Sequence, residues 1–201
     1  MKKQNFRANA RSFMSKAFCS VMIATTIVSF ASCINTPTAQ KGGVIINGVE
    51  WAICNVDVPG TFAASPENAG RFYQWNRKTA WAATDEVSNW DSSYPDGITS
   101  NWEWEKANDP CPDGWRVPTP DEIKSLLDED KVSLEYTIQN GVNGSRFTDK
   151  KNGNSIFLPH AGVRNSDNGM LYVSGKYGYY WGSAHKDKRL AYCFFLNGPG
   201  R

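Results

Sequence analysis

The sequence predicts an α+β domain of many short antiparallel strands, one or two short helices and long loops. Short apolar or aromatic runs alternate with Gly, Asn and Pro residues, only one segment has clear helical periodicity, and one long stretch has no clear periodicity. One helix among many strands is typical of an α+β or a mostly β domain. We take α+β as the predicted fold class.

Alternation of apolar runs and turn residues predicts the strands. Asn47-Gly48 stands between two partly β-branched runs, which is the strongest short-range signal for a two-residue β-hairpin. Gly141, Asn143 and Gly144 are expected to break the chain, and Asn168-Gly169 to form a turn. The further predicted strands cover residues 71–75, 132–138, 155–159, 170–173, 179–181 and 190–196.

The helix is predicted from its start. Thr119 is placed to cap the first amides, Pro120 suits the first helical position, and Glu122 completes a capping box. Apolar side chains then follow at helical spacing, at Ile123, Leu126 and Leu127. We expect the helix to end at residues 129–131.

Residues 76–109 lack periodicity but contain four of the eight tryptophans, Trp81, Trp90, Trp102 and Trp104, together with Tyr94. A loop of this length is typically functional or disordered, and its aromatic content argues against disorder. Trp offers a large rigid face on which sugars stack. We therefore predict a ligand-binding surface at Trp90, Tyr94, Trp102 and Trp104, while core packing is the alternative for each ring.

The N-terminus has the pattern of a bacterial secretory signal. Residues 1–16 hold five basic side chains and no acidic one, and a mostly apolar run follows to Phe30. Ala31 and Ser32 stand directly before Cys33, as in the lipobox of bacterial lipoproteins. We predict lipid attachment at Cys33. The alternative is an ordinary signal peptide that is cut near the same place.

The predicted signal and the lipid attachment residue divide the chain into three parts: a signal peptide over 1–32, a lipidated tether over 33–43 and one domain over 44–201. The expected location is the cell envelope, with the lipid in the outer membrane and surface display left open. The membrane is thus one predicted partner, and a glycan or an envelope protein is the other.

A nucleic-acid partner is not expected. The formal charge of the chain is +2, but five basic residues belong to the signal, and their removal leaves 17 basic and 20 acidic side chains. A net charge of −3 provides no electrostatic support for binding to phosphates.

Neither a metal, a cofactor nor a catalytic residue is predicted. Cys54, Cys111 and Cys193 remain after processing, without a Cys-x-x-Cys pair, and three single disulfide pairings stay open. His160 and His185 are far apart in the sequence. Candidate nucleophiles such as Ser183 and Cys193 stand in no recognisable triad or elbow.

Calcium binding has weak support. Residues 66–68 (Pro-Glu-Asn) and 89–91 (Asn-Trp-Asp) contain the residue types of lectin calcium motifs, but in the wrong order. We therefore expect no calcium site.

Several sequence blocks occur in an order that matches one known family. The longest and most specific block is Cys-Pro-Asp-Gly-Trp-Arg-Val-Pro-Thr at residues 111–119. The shorter blocks are Trp51-Ala52 with Asn55-Val56, Tyr73-Gln74-Trp75, residues 157–164 and Tyr180-Trp181-Gly182-Ser183. From about residue 44 to its end, the chain resembles the Fibrobacter succinogenes major paralogous domain.

This resemblance implies an exported, often lipid-anchored protein of the Bacteroidetes or related bacteria. It also implies a C-type-lectin-like fold similar to that of formylglycine-generating enzymes, and family members are mostly of unknown biochemical function. The chain departs from the family pattern after Trp181, and it stops at Arg201 where members continue into a closing strand. The expected function is noncatalytic recognition of a glycan or a protein at the envelope. The alternative is a structural or adhesin-type subunit that contacts other proteins.

Overall fold

A computed structural model of the chain describes residues 24–25, 42–84, 86–93, 103–185 and 190–198. Within these ranges the chain forms short antiparallel strands, one α-helix and one 3-10 turn. The helix α1 spans Pro120–Ser125 and the 3-10 turn spans Lys106–Asn108. The strands are β1 (Ala24–Thr25), β2 (Gly43–Ile46), β3 (Val49–Ala52), β4 (Phe72–Tyr73), β5 (Ala80–Trp81), β6 (Val132–Gln139), β7 (Val142–Asp149), β8 (Ser155–Pro159), β9 (Val163–Arg164), β10 (Leu171–Tyr172), β11 (Tyr177–His185) and β12 (Ala191–Asn197).

The first sheet confirms the predicted N-terminal hairpin. β2 and β3 pair antiparallel around Asn47 and Gly48, whose φ angles of 46° and 80° are those of a two-residue hairpin turn. β1 adds to the far side of β3, with Ala24 opposite Trp51. Trp51 and Ile46 bury their side chains and join this sheet to the main core.

The largest sheet has the order β6-β7-β8. Its first turn is Asn140-Gly141, with φ angles of 47° and 82°, and it has the same geometry as the turn at Asn47-Gly48. The expected chain break at Asn143 and Gly144 is wrong, because both residues pair within the sheet. Gly144 lies against the Phe157 ring, where a Cβ atom would come within 2.3 Å.

β11 and β12 form a long hairpin that packs against the large sheet. Tyr180 and Phe194 lie opposite each other on one face, where the Tyr180 hydroxyl donates to the Pro159 carbonyl at 2.6 Å and the Phe194 ring lies 5.8 Å from that of Phe147. The pairing register shifts between Trp181 and His185, which marks a β-bulge. This hairpin therefore covers part of the inner face of the β6-β7-β8 sheet.

The helix begins where the sequence predicts and ends earlier. Thr119 accepts from the Glu122 amide at 3.2 Å, and the Glu122 carboxylate accepts from the Thr119 amide at 2.7 Å, which confirms the capping box. The predicted end at residues 129–131 is wrong, since α1 stops at Ser125. The Asp128 carbonyl instead accepts from the amides of the two residues that lead into β6.

The predicted α+β fold class is wrong. One six-residue helix stands among short antiparallel strands throughout the described part of the chain, so the architecture is nearly all-β. The C-type-lectin-like architecture with one or two helices, which the resemblance implied, is wrong for the same reason. The physical reason is burial: α1 buries Ile123 and is followed by the buried Leu126, whereas the strands supply most of the core side chains.

Candidate functional site

The described tryptophans of residues 76–109 contribute to the core more than to the surface. Trp81 and Trp104 are each 8% exposed, and Trp90 is half-buried. Tyr94 and Trp102, the other two residues of the predicted ligand-binding surface, lie outside the described residues. Of the described candidates, only Trp90 has a substantial part of its ring at the surface.

Trp104 is held in the core by both its backbone and its ring. Its amide donates to the Ser183 carbonyl at 2.6 Å, next to the bridge between Glu103 and Ala184. Its ring centroid lies 5.6 Å from that of Trp75. Trp104 therefore packs in the core, which was the alternative to ligand binding. Its ring face is covered by neighbours and is not available for stacking.

Trp90 closes a second, smaller core cluster. Its ring lies 4.6 Å from that of Trp81, and its Nε1 donates to the Ser166 carbonyl at 2.8 Å. Gly169 lies directly against the Trp90 ring, where a Cβ atom would come within 2.5 Å. These contacts fix one side of Trp90, which is half-buried overall.

A buried arginine holds this cluster together. The Arg164 guanidinium is fully buried and donates to the carbonyls of Ala82, Thr84 and Gly169. It also lies 5.5 Å from the centre of the Phe72 ring, within the range of a cation–π contact. Arg164 therefore joins the loop after β5 to the turn after β9.

Residues 111–119, the most specific block of the family resemblance, make structural contacts around the start of α1. Arg116 donates to both carboxylate oxygens of Glu122, at 2.9 Å and 2.5 Å. Burial opposes ionisation of Glu122, but the hydrogen bonds from Arg116 and Thr119 hold its pKa below the ordinary value. Asp109 accepts from the amides of Cys111 and Val117. These contacts fix the entry to α1.

The fold brings together a serine and a histidine that the sequence analysis did not connect. The Ser145 hydroxyl on β7 lies 2.9 Å from Nε2 of His160, just after β8. Both residues are 2% exposed, and burial lowers the pKa of His160. The Tyr136 ring packs 5.4 Å from the imidazole. Within the described residues the pair is therefore a buried hydrogen-bonded contact of the core.

The residues that the sequence analysis considered as nucleophiles lie on the β11-β12 hairpin. The Ser183 backbone connects two segments, since its amide donates to Pro118 and its carbonyl accepts from Trp104. Cys193 is half-buried opposite Trp181. His185 packs against Trp75, with ring centroids 4.0 Å apart. Burial raises the pKa of the Cys54 thiol to about 11, which disfavours its thiolate at neutral pH.

The hairpin also carries an open cluster of aromatic rings, which we name the hairpin aromatic surface: Tyr177, Tyr179 and Phe195. The Phe195 ring lies 5.4 Å from Tyr177 and 5.0 Å from Tyr179, and Phe195 is 49% exposed. Trp181 continues the same face into the core, where its Nε1 donates to the Tyr73 carbonyl. One face of the hairpin is thus buried at one end and open at the other.

A polar side chain stands beside these rings. Asn197 is exposed and lies directly opposite Tyr177 in the antiparallel pair, so both side chains project from the same face. The surface therefore combines ring faces with an amide and tyrosine hydroxyls. The sequence contained a partial signal for it, because Tyr177, Tyr179 and Trp181 alternate along the chain, although the predicted strand covered only residues 179–181.

Within the described ranges the chain has neither a cluster of metal-ligating side chains nor a helix that could span a membrane. No group of three or more His, Cys, Asp or Glu side chains there is arranged to hold a metal ion. No helix among the described residues has the length and apolar character needed to span a membrane. The predicted lipid attachment residue, Cys33, lies outside the described residues.

Comparison with protein-family models, with curated proteins and with solved structures gives no match to this chain.

Proposed function

We propose that the chain is a noncatalytic recognition domain of the bacterial cell envelope, anchored through a lipid on Cys33, and that it binds a glycan at the hairpin aromatic surface. The observation that carries this proposal is the contact of three rings at the open end of the β11-β12 hairpin, with Phe195 half exposed. Large rigid rings stack on the apolar faces of sugars at a small cost in side-chain entropy.

The chemistry of the surrounding residues supports a sugar ligand. Asn197 supplies amide donors and acceptors beside Tyr177, and tyrosine hydroxyls add further polar groups. A ligand site of this kind combines apolar area with a few polar groups that fix orientation. This proposal moves the expected site away from Trp104, whose ring is buried, while Trp90, Tyr94 and Trp102 stay predictions.

A second candidate function is contact with another envelope protein. It is favoured by two exposed aliphatic side chains, Leu134 and Ile138, which lie on one face of β6. Exposed apolar residues grouped on one face are more typical of a protein contact than of a sugar site.

The test is a glycan array probed with the purified chain. We expect hits that the Phe195→Ala variant weakens by about tenfold or more, since removal of the ring eliminates the central stacking face. The matched control is Leu127→Ala, which truncates a side chain of similar exposure, 48%, away from the hairpin. An array without hits, or equal loss in both variants, contradicts glycan binding. Retention of a specific envelope protein by the same chain would then favour the second candidate.

A further inference from the structure

The β6 strand, Val132–Gln139, leaves one long edge open. It is eight residues long and lies at the end of the three-stranded sheet, and within the described part of the chain no strand pairs with its far side. Open edges of this length are templates for pairing with another strand. Glu135 is the only charged residue within the strand, Lys131 directly precedes it, and the Glu67 carboxylate accepts from the Gln139 side chain at 2.6 Å near its end.

The hairpin register shows which backbone groups point to this edge. The turn at Asn140-Gly141 has two residues, so the closing pair of Gln139 and Val142 exchanges hydrogen bonds. Hydrogen-bonded and non-hydrogen-bonded pairs alternate along an antiparallel ladder. The amides and carbonyls of Leu134, Tyr136 and Ile138 therefore point away from β7, towards the open edge.

The side chains of the same residues form an apolar face. Leu134 is 54% exposed and Ile138 is 63% exposed, although both lie on the face where β7 buries Phe147 and Ser145. Phe194 of the β11-β12 hairpin packs against Phe147 of β7, and Gly198, just after β12, lies beside Tyr136, where a Cβ atom would lie 3.1 Å from the ring. The inner face of β6 thus continues beyond the cover that the described residues supply.

We propose that the occupant of this edge is a second copy of the chain, paired antiparallel through β6 with the two-fold axis at Tyr136. In this arrangement the three-stranded sheets of two copies join into one continuous sheet. The proposal concerns a different surface from the hairpin aromatic surface, so it does not depend on glycan binding. It assigns to a second copy the Leu134 and Ile138 face that also favours the second candidate function, so these two occupants are alternatives.

Self-complementarity of the register supports this choice of occupant. With the axis at Tyr136, Leu134 of one copy lies opposite Ile138 of the other, and Glu135 lies opposite Thr137. The exposed aliphatic residues thus cover each other, and no like charges face each other within the strand. The backbone groups that point to the edge also pair with their equivalents.

Neighbouring registers fit less well. An axis at Leu134 places Ile138 opposite Asp130, an exposed acid, and an axis at Ile138 places Leu134 opposite Val142, which already pairs with Gln139. An axis at Glu135 or Thr137 also lets the edge-pointing backbone groups pair, but the first places Glu135 opposite its own copy, and the second places Leu134 opposite Asn140 in the turn. Among these registers, only the Tyr136 axis covers both exposed aliphatic side chains without bringing like charges face to face.

The test is sedimentation velocity of the full chain in a mild detergent over a wide concentration range. A single strand edge is smaller than a standard interface of about 1,200 to 2,000 Å², so we expect a weak, concentration-dependent dimer. The Ile138→Lys variant should raise the dissociation constant by about tenfold or more, because a lysine on the apolar face is a known block to edge pairing.

The matched control is Ser133→Lys, which adds the same charge to the same strand on the opposite face. We expect its dissociation constant to stay within about twofold of the wild type, since Ser133 lies opposite the neutral Gln139 in this register. Circular dichroism checks that both variants keep the fold. A wild type that is monomeric at every concentration overturns the proposal, as does equal weakening by both lysines.

A cross-linking experiment tests the register. Leu134→Cys and Ile138→Cys chains are mixed and treated with a mild oxidant, and the covalent dimer is quantified against each variant alone and the wild type. Opposite positions in an antiparallel pair lie within disulfide reach. We expect the mixture to exceed either variant alone. Equal yields from one variant by itself overturn the Tyr136 axis.

Discussion

Gly162 illustrates how one residue controls a junction between three strands. It has a φ angle of 86°, and a Cβ atom there would lie 2.4 Å from the Tyr172 carbonyl. Its amide donates to the Tyr177 carbonyl at 2.8 Å. The chain after β8 can therefore approach β10 and β11 this closely only where the side chain is absent.

Gly162→Ala should lower the free energy of unfolding far more than Gly141→Ala. Gly141 has a similar φ angle of 82° but no atom within 4 Å of a Cβ position. Both variants carry the left-handed backbone cost of roughly 1 kcal/mol, and Gly162 adds a clash with backbone. Urea denaturation measures the difference. Equal losses would show that the backbone around Gly162 relaxes.

His160 makes stability depend on pH. Burial lowers the pKa of His160 from its ordinary value of 6.5, so the unfolded chain binds this proton more readily than the folded chain does. Stability should therefore fall as the pH decreases from about 6.5 towards the lower folded pKa. The carboxyl groups with lowered pKa values, such as Glu67 and Glu122, titrate below this window.

The measurement is the free energy of unfolding between about pH 7 and pH 5, for the wild type and for His160→Gln. The variant cannot take up this proton, and we expect a flatter pH dependence. If the two curves run parallel in that window, the buried imidazole does not control it.

The roles of individual residues were only partly predictable from the sequence. The sequence showed that residues 76–109 are rich in aromatic side chains. Only the folded structure shows that Trp81 and Trp104 are buried and contribute to the core. The contact between Ser145 and His160 had no local signal, since a separation of 15 positions follows no known spacing rule. Long-range contacts of this kind depend on how strands pair.

At the scale of single elements, the helix α1 depends on its N-terminal cap. Thr119→Ala removes the acceptor for the Glu122 amide and should cost about 1 kcal/mol. The control is Lys124→Ala, which breaks only an exposed ion pair with Asp121 and should leave the denaturation midpoint nearly unchanged. Thermal or urea unfolding compares the two. A larger loss for the lysine variant would contradict the capping argument.

The helix also shows which element boundaries can be predicted locally. Its start was predictable because the cap, the proline and the glutamate act within four residues. Its end was not, because Leu127 continues the helical spacing although it is exposed, and the chain turns at Asp128 to bring Val132 into the core. Packing of β6 outweighs the local periodicity there.

At the scale of the whole molecule, the predicted lipid determines where the domain acts. Cys33→Ser should abolish metabolic labelling with a palmitate analogue and release the chain from the membrane fraction, because the acyl chains supply the membrane affinity. Cys19→Ser is the matched control, since Cys19 lies within the predicted signal and its label should persist. Unchanged labelling in Cys33→Ser would contradict the lipoprotein prediction.

Two clusters of buried side chains organise the described part of the chain. The larger one joins the first hairpin, the large sheet and the β11-β12 hairpin, and the smaller one contains Phe72, Trp81 and Ala161. Arg164 and Trp90 connect the smaller cluster to the surrounding loops. Stability of the whole thus comes from side chains on separate small sheets that pack together, with little contribution from the helix.

Local chemistry was enough to predict the Asn-Gly hairpin at residues 47–48, the start of α1 and most of the strands, because each depends on neighbouring residues. The fold class and the accessible surface depended on packing between distant segments. Burial of a ring such as Trp104, or exposure of one such as Phe195, is set by which strands lie against it, and alternation along one strand does not contain that information.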